Sequence, residues 1–250
     1  MAKETPADLR QHFSPESRFG GFSEADAMIE FYGRIAALVE PTSRILDYGA
    51  GRGAQIAEDA LPYRRALKTL KGRVAHVEGC DIDPEVMKNP YLDAAKVFDP
   101  TKPLPYDDDS FDLVYSNWVF EHVANPDMVA RELLRVVKPG GYICALTPNR
   151  WGYIAVASRL VGNRNHVPLL RRIQPNRKEF DVFPTLYRLN TPNMVKRHFG
   201  HAADIVVYAV SGDPAYHFQR PTIYKLFQWI HRLTPKRLQP LLLIFARKQP

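Results

Sequence analysis

The fold of this 250-residue chain is indicated most clearly by one stretch, Arg44-Ile45-Leu46-Asp47-Tyr48-Gly49-Ala50-Gly51-Arg52-Gly53. Its first half is a short apolar run, typical of a buried strand, and its second half is a glycine cluster, typical of a tight turn. Good helix formers follow at residues 54–60. The stretch therefore predicts a strand, a turn and a helix, with backbone amides of the turn available to a ligand.

The same alternation continues along the chain. Apolar runs predict further strands, and helical spacing of apolar residues predicts the helices between them. Strands that alternate with helices in this way predict a doubly wound, mostly parallel α/β sheet. The predicted strands are at residues 44–48, 74–80, 96–98, 111–116, 142–146, 204–210 and 241–247, the predicted helices at 54–60, 125–137 and 222–232, and the predicted loops at 62–73 and 100–105.

The length of the chain favours one domain, residues 1–250, with additions to its core. After residue 149 the regular pattern weakens into a stretch rich in Arg, Pro and aromatic residues, which predicts an inserted cap. The predicted parts are an N-terminal helical lid at 1–43, a ligand-binding core at 44–148, a substrate cap at 149–203 and C-terminal strands completing the sheet at 204–250.

The composition is that of an ordinary globular protein, with 45% hydrophobic and 24% charged residues. The first ten residues lack the apolar run of a secretory signal, and no run reaches the ~18 apolar residues of a spanning helix, so a cytoplasmic location is expected. Cys80 and Cys144 fall in predicted strands and are expected to be buried thiols. Their number and spacing indicate neither a disulfide framework nor a metal site.

Charge is distributed unevenly along the sequence. Residues 1–149 carry 17 Lys and Arg against 23 Asp and Glu, whereas residues 150–250 carry 17 against 4. A basic half usually indicates an anionic partner such as phosphate, nucleic acid or an acidic lipid surface. The alternative is that these arginines only solvate a cap.

Acidic residues follow the first three predicted strands, at the sheet edge where ligands bind in such folds. Asp47 ends the first strand and can meet a cationic amino acid group there. Asp81 ends the second strand, where a carboxylate accepts hydrogen bonds from both ribose hydroxyls. Beside it, Ile82 can cover one face of an adenine, and Asp99 can accept a hydrogen bond from an exocyclic amine. Loop-capping aspartates and a core isoleucine are the alternatives.

Two segments, Ile45-Leu46-Asp47-x-Gly49-x-Gly51-x-Gly53 and Gly79-Cys80-Asp81, resemble the first two motifs of class I S-adenosylmethionine-dependent methyltransferases. Further segments are similar, in order and spacing, to the small-molecule, type 11-like branch of that family. The match covers less than half of the chain. These further segments are Leu104-Pro105-Tyr106, Ser110-Phe111-Asp112-Leu113-Val114, Glu121-His122-Val123 and Arg135-Val136-Val137-Lys138-Pro139-Gly140-Gly141.

The resemblance implies a Rossmann-like sheet of seven strands with an antiparallel last strand. It implies S-adenosylmethionine as the cofactor, S-adenosylhomocysteine as its product, and residues 44–148 as the cofactor-binding core. The family's usual segment before Leu-Pro-aromatic differs from Val97-Phe98-Asp99-Pro100 at the place of Asp99. The implied cofactor-binding residues are Asp47, Gly49, Ala50 and Gly51 around the methionine part, Asp81 at the ribose, Ile82 and Asp99 near the adenine, and backbone groups of Ser116 and Asn117 near the sulfonium.

The predicted acceptor is a small molecule or a glycan, methylated at a hydroxyl and bearing phosphate or carboxylate groups. A hydroxyl nucleophile must lose its proton, and His122, soon after the fourth strand, is the predicted catalytic base. A structural role for His122 in the strand-to-helix turn is the alternative. Further polar candidates in or near the cap are Asn149, Arg150, His166, Arg171, Arg172, Tyr187 and Arg188. Arg171 with Arg172, or Arg188, can clamp a phosphate or carboxylate, and ordinary surface arginines are the alternative.

Other functions stay open. A nucleic acid methyltransferase would bind through the basic C-terminal region, but Ser116-Asn117-Trp118-Val119 lacks the Pro-Pro-aromatic motif of base amino methylators, so this function is disfavoured. A non-catalytic S-adenosylmethionine-binding protein is disfavoured by the intact glycines and acids. Methylation of carbon or nitrogen in a small molecule is a further alternative, with peripheral contact to an anionic membrane through the amphipathic residues 224–233.

Overall fold

The computed structural model describes residues 6–153, 155–156, 184–214 and 220–250. Its centre is a seven-stranded sheet in the order β3-β2-β1-β4-β5-β7-β6, with six parallel strands and an antiparallel last strand, which confirms the predicted Rossmann-like fold. The strands are β1 (Arg44–Tyr48), β2 (His76–Asp81), β3 (Ala94–Val97), β4 (Phe111–Asn117), β5 (Val137–Pro148), β6 (Ala203–Val210) and β7 (Leu241–Lys248). The helices named here are α1 (Pro6–Phe13), α2 (Ala27–Leu38), α3 (Ala54–Ala57), α4 (Pro62–Lys68), α5 (Pro126–Val136), α6 (Pro192–Phe199) and α7 (Pro221–Leu233).

Strand β1 lies at the centre of the functional half of the sheet. It pairs in parallel with β2 on one side and with β4 on the other, so that Ile45 lies opposite both Val77 and Leu113. Ile45 and Leu46 are fully buried, as expected for a strand with both faces covered. The strand order reverses between β1 and β4, and in such sheets the crevice beyond the carboxyl ends at this point is the usual ligand site.

The chain divides into two compact units. The larger unit comprises Met28–Thr147, Leu186–Tyr208 and Leu242–Pro250, and it holds nearly all of the sheet. The smaller unit comprises Met1–Ala27, Pro148–Thr185 and Ala209–Leu241. Within the smaller unit α1 packs against α7, because the rings of Phe13 and Tyr224 stack at 5.4 Å and Gln228 Nε2 donates a hydrogen bond to Ser14 Oγ at 3.2 Å. The division into lid, core and cap stays a prediction.

The glycine turn is followed by shorter helices than the sequence predicted. The predicted helix at residues 54–60 ends at Ala57, and the predicted connector at 62–73 begins with α4. The reason is a charge cluster, since buried Asp59 accepts hydrogen bonds from Arg64 Nε and forms an ion pair with Lys68 Nζ, each at 2.7 Å. The basic side chains that indicated a solvated connector therefore hold a helix against the turn.

Two further predictions were wrong. The strand predicted at 142–146 begins at Val137, which pairs with Phe111, while Tyr142 pairs with Leu113. A local irregularity thus carries the Pro139-Gly140-Gly141 segment inside β5. The cap was predicted without regular structure up to about Gly200, yet it contains α6, which Thr191 caps by accepting a hydrogen bond from Met194 N at 3.2 Å.

Two elements begin with residues that favour a helical start, and the predicted burial of Cys80 and Cys144 is confirmed. Asn125 caps α5 by accepting a hydrogen bond from Met128 N at 3.1 Å, and Pro84 begins a 3₁₀ turn, Pro84–Lys88. Cys80 and Cys144 are buried free thiols. Within the described residues, none of the helices has the length and apolar character needed to cross a bilayer.

Gly79→Ala is expected to destabilise the protein. A Cβ at this position in β2 would lie 2.3 Å from Leu92 Cδ1 and 2.9 Å from Ala50 Cβ, and overpacking of this kind costs about 2 kcal/mol. The matched control is Gly33→Ala in α2, where a Cβ meets no atom within 4 Å and the helix gains up to about 1 kcal/mol. Denaturant unfolding measures both changes, and equal stability of the two variants would show that the close approach at Gly79 is unimportant.

Candidate functional site

The glycine turn after β1 closes onto the end of β2. Gly49 N and Ala50 N both donate hydrogen bonds to Cys80 O, at 2.8 and 3.1 Å. Gly51 N donates a hydrogen bond to Asp81 Oδ2 at 2.8 Å. The turn therefore joins the end of β1, which carries Asp47, to the end of β2, which carries Asp81.

Two glycines of this turn have different roles. Gly49 has φ of +81°, and a Cβ there would lie 2.2 Å from Val119 Cγ2, so only glycine fits. Gly51 has φ of +51°, but a Cβ there would meet no atom within 4 Å. The backbone at Gly51 consequently borders open space, which a ligand can approach closely.

Asn89 fixes the turn from outside. Its side-chain Nδ2 donates hydrogen bonds to Ala50 O at 3.2 Å and to Gly51 O at 3.0 Å, and the residue is buried. The sequence analysis missed Asn89, because an asparagine in a loop after a 3₁₀ turn carries no signal of its partners 38 and 39 residues earlier.

Asp47 carries a strongly perturbed carboxyl group. Its Oδ2 accepts a hydrogen bond from the Tyr115 hydroxyl at 2.8 Å. Burial raises the pKa of Asp47 to about 7, the Tyr115 hydrogen bond opposes that rise, and the negative charge of Asp81 adds to it. A cation placed beside this carboxylate would lower its pKa again and would be bound in return.

Asp81 is held in a fixed orientation at the end of β2. Its Oδ1 accepts a hydrogen bond from Asp83 N at 2.9 Å, and its Oδ2 accepts the one from Gly51 N. Burial raises the pKa of Asp81 above its ordinary value, although both backbone amides act in the opposite direction. Ile82, the next residue, is 44% exposed and offers an apolar surface beside this carboxylate.

Asn117 ends β4 with an unsatisfied acceptor. Its Nδ2 donates to Gln55 Oε1 and to the Tyr32 hydroxyl, while its Oδ1 is buried and has no hydrogen-bond partner in the described part of the chain. Buried acceptors of this kind usually have a partner, so a ligand donor fits here. Ser116 differs, because its hydroxyl donates to Tyr48 O at 3.0 Å and joins the ends of β1 and β4.

Asp99 lies in a local turn after β3. Its Oδ1 accepts hydrogen bonds from Thr101 N at 2.9 Å and Thr101 Oγ1 at 2.7 Å, and Lys102 Nζ lies 3.6 Å from Oδ2. The Thr101 hydrogen bonds lower the pKa of the Asp99 carboxyl group. The contacts described for Asp99 are thus those of a capping residue, and its contact with an adenine stays a prediction.

The end of β5 and the segment that follows β4 carry part of a buried polar cluster, which consists of Glu121, Thr147 and Asn190. Thr147 Oγ1 donates to Glu121 Oε2 at 3.0 Å, and Asn190 Nδ2 donates to Thr147 Oγ1 at 2.7 Å. His122 borders the cluster, with its Nε2 3.9 Å from Glu121 Oε1 and 24% of its side chain exposed. The turn after β4, which leads to Glu121 and His122, begins with Trp118. The φ of Trp118 is +59°, a strained value for a bulky residue.

The cap candidates have mixed outcomes. Asn149 is fully buried, and its Nδ2 donates to Arg237 O at 2.9 Å and Gln239 O at 2.8 Å, which is a structural role. Arg188 is exposed and donates to Ala124 O at 2.6 Å, and Tyr187 is buried with φ of +53°. The Arg150 guanidinium lies over the Trp151 ring, 5.9 Å from its centroid. The remaining candidates that the sequence named there, His166, Arg171 and Arg172, lie outside the described residues.

Comparison with known sequences gives a coherent result. Residues 46–145 match the family described as "Methyltransferase domain". The chain is 31% identical over 146 residues to sterol methyltransferase-like 3 of Botryococcus braunii, covering 54% of this chain and 34% of that protein. It is 34% identical over 118 residues to demethylmenaquinone methyltransferase of Streptomyces avermitilis, covering 44% of this chain and 46% of that protein. The chain thus spans about a third to a half of these relatives.

Comparison with solved structures agrees on the fold. A geranyl diphosphate methyltransferase solved in complex with S-adenosylmethionine superposes with a TM-score of 0.54 and 17% identity, covering 89% of this chain and 84% of that one. An S-adenosylmethionine-dependent methyltransferase from Mesorhizobium loti superposes with a TM-score of 0.52 and 18% identity, covering 89% and 98%. At these identities the likeness shows the fold. Together with the sequence match over residues 46–145, it shows a region similar to methyltransferase domains, in the fold that class I S-adenosylmethionine-dependent methyltransferases share.

Proposed function

We propose that this protein transfers the methyl group of S-adenosylmethionine to a small-molecule acceptor. The observation that carries the proposal is the set of acceptors around the glycine turn, namely the Asp47 and Asp81 carboxylates and the unsatisfied Asn117 Oδ1, beside open space at Gly51. When bound, the cofactor supplies an electrophilic methyl group on a sulfonium. It also carries an ammonium group and two ribose hydroxyl groups. These groups can donate hydrogen bonds to the carboxylate and amide oxygens around the turn.

Each proposed contact follows from the chemistry of the side chain. Asp47 would hold the ammonium group, since its carboxyl pKa near 7 falls when a cation arrives. Asp81 would accept from the ribose hydroxyls, because two backbone amides already orient its oxygens. Asn117 Oδ1 would accept one further donor of the amino acid part. Ile82 would cover the adenine, and Gly49, Ala50, Gly51 and Ser116 would shape the space with their backbones, with Asp99 at its outer rim.

The acceptor class is inferred from two kinds of support. The named relatives include sterol and demethylmenaquinone methyltransferases, which favours a small molecule. For the finer proposal of a hydroxyl acceptor bearing phosphate or carboxylate, the support is the position of His122 and the excess of Arg and Lys after residue 149. A carbon nucleophile is the competing acceptor, and its proton would leave from the methylated carbon or from a neighbouring carbon instead of from a hydroxyl group.

In the hydroxyl mechanism the protein aligns the nucleophile and removes its proton. Alignment is the larger contribution, because methyl transfer is an in-line displacement. His122 would take the hydroxyl proton on its imidazole. Glu121, which Thr147 fixes by a hydrogen bond, lies near His122 Nε2 and would stabilise the imidazolium that forms.

Asp81→Ala is expected to weaken S-adenosylmethionine binding about 100-fold, because a charged partner of two hydroxyl groups is lost. Isothermal titration calorimetry measures the dissociation constant. The control is Asp112→Ala at the start of β4, a carboxylate that accepts from Arg44 N at 2.8 Å and pairs with Lys138. That variant should bind as the wild type does, and an equal loss in both would remove the assignment of Asp81.

Replacement of His122 tests the proposed base. His122→Ala should lower kcat at least 100-fold on a hydroxyl acceptor, with the dissociation constant of the cofactor unchanged. His122→Gln keeps a polar side chain of similar length that cannot take up the proton of the acceptor. Equal loss in both variants identifies a base, whereas full activity of His122→Gln would assign His122 a structural role.

Asp47→Asn should stabilise the ligand-free protein in a pH-dependent way. Because the folded-state pKa is about 7 against an ordinary value of 3.8, the folded protein binds more protons than the unfolded chain between those values and loses stability as the pH rises. The advantage of the variant should therefore grow from about pH 4 to about pH 7 and then level off, at no more than about 4 kcal/mol.

Thermal unfolding at several pH values measures this advantage, with Asp99→Asn as the matched control. The pKa of Asp99 is lowered in the folded state, so that variant should lose a little stability above pH 4 instead of gaining it. A constant difference between Asp47→Asn and the wild type across the range would contradict the proposed charge state of Asp47.

A further inference from the structure

Helix α7, Pro221–Leu233, presents an apolar stripe on its outer face. Leu226, Trp229 and Leu233 are 57%, 60% and 69% exposed. Their spacing of three and four residues places all three on one side of the helix. Single exposed apolar residues are common, but a stripe along about two turns of one helix indicates a surface that contacts a partner.

The opposite face of α7 explains why this stripe is not part of the core. Tyr224 and His231 are buried, and the Tyr224 ring stacks on Phe13. Phe227 stacks on Tyr153 with ring centroids 5.5 Å apart. The helix is therefore packed within the smaller unit through one face, and the stripe lies on the other.

The surroundings of the stripe are positively charged. Lys225 and Arg232 are exposed along one of its sides, and Lys236 and Arg237 are exposed in the 3₁₀ turn that follows the helix. The chain contains no Asp or Glu after Asp213, whereas residues 214–250 carry seven Lys and Arg. An apolar stripe with basic flanks and no acidic residue is the pattern of a helix that lies in the interface of an anionic bilayer.

We propose that α7 docks the protein on an anionic lipid surface. Leu226, Trp229 and Leu233 insert at the boundary between headgroups and acyl chains, where tryptophan is favoured. Lys225 and Arg232 contact lipid phosphate and carboxylate groups. A second copy of the chain fits less well, because pairing of two α7 stripes would bring these like charges together, and nucleic acid leaves the aliphatic residues without a partner.

The inference is independent of the proposed reaction, and its test is binding to vesicles. The full-length protein is mixed with liposomes of phosphatidylcholine alone or with 30% phosphatidylglycerol, a probe composition, and separated by flotation. Binding should be at least about tenfold stronger to the anionic vesicles and should fall as salt is added. Equal binding to both, or none to either, would overturn the proposal.

Substitutions in α7 test whether this helix is responsible for binding to anionic vesicles. Lys225→Glu with Arg232→Glu should weaken anionic vesicle binding at least tenfold, and Leu226→Ser with Trp229→Ser should do the same through loss of insertion. The matched control is Lys196→Glu with Arg197→Glu, the same charge change at exposed positions of α6 in the larger unit. All variants should keep the melting temperature of the wild type. An equal loss in the α6 variant would overturn the assignment to α7.

Two further measurements test the other possible partners of the stripe, namely a second copy of the chain and nucleic acid. Light scattering reports self-association, and loss of a dimer in the Leu226→Ser, Trp229→Ser variant would show that a second copy covers the stripe. Binding of a single-stranded or duplex oligonucleotide that depends on Lys225 and Arg232 and exceeds vesicle binding would favour nucleic acid. Either result would overturn the lipid proposal.

Discussion

The hydrogen bond from Gly51 N to Asp81 Oδ2 is the interaction on which the site depends. It joins the turn after β1 to the end of β2, and it is formed only because neighbouring positions allow the approach. Gly79 leaves room for Ala50, the parallel register sets Tyr48 opposite Cys80, and Asn89 holds the turn from the other side. The same bond orients the carboxylate that the proposed function uses, so the fold of the turn and the proposed binding of the ribose have one physical origin.

A second constraint is electrostatic. Asp47 and Asp81 interact as like charges, and burial raises the pKa of both. Such groups destabilise a ligand-free protein and are typical of functional positions, since a protein selected for stability alone would replace them. The unsatisfied Asn117 Oδ1 adds to the same cost. A cationic, hydroxyl-rich ligand removes all three penalties together, which is why the cost itself supports the proposed cofactor.

The sequence predicted the parts of this structure that depend on local pattern. The strand, turn and helix around Gly49 follow from apolar runs and glycines, and so do the positions of strands β2 and β4. Helix α4 was missed because its basic residues indicated a solvated connector, whereas Lys68 is buried against Asp59. Helix α6 was missed although its sequence has helix signals, since Thr191 and Pro192 favour a helix start and buried Val195 and Phe199 are four residues apart. The helix is short and follows the irregular stretch of the predicted cap. Asn89, Gln55 and Asn190 were missed because their partners are distant in sequence, and no local pattern encodes a contact of that kind.

Proton release on cofactor binding is the most direct measurement of the proposed ammonium site at Asp47, because it reports the charge of this carboxyl group as the ligand binds. Titrations of S-adenosylmethionine at pH 7 in buffers of different ionisation enthalpy give the number of protons released. With the pKa of Asp47 at about 7, the account predicts release of about half a proton per cofactor at pH 7. Asp47→Asn should release no proton at pH 7, and neither protein should release a proton at pH 9, where Asp47 is already ionised. Binding that releases no proton at pH 7, or the same release from Asp47→Asn, would contradict the account.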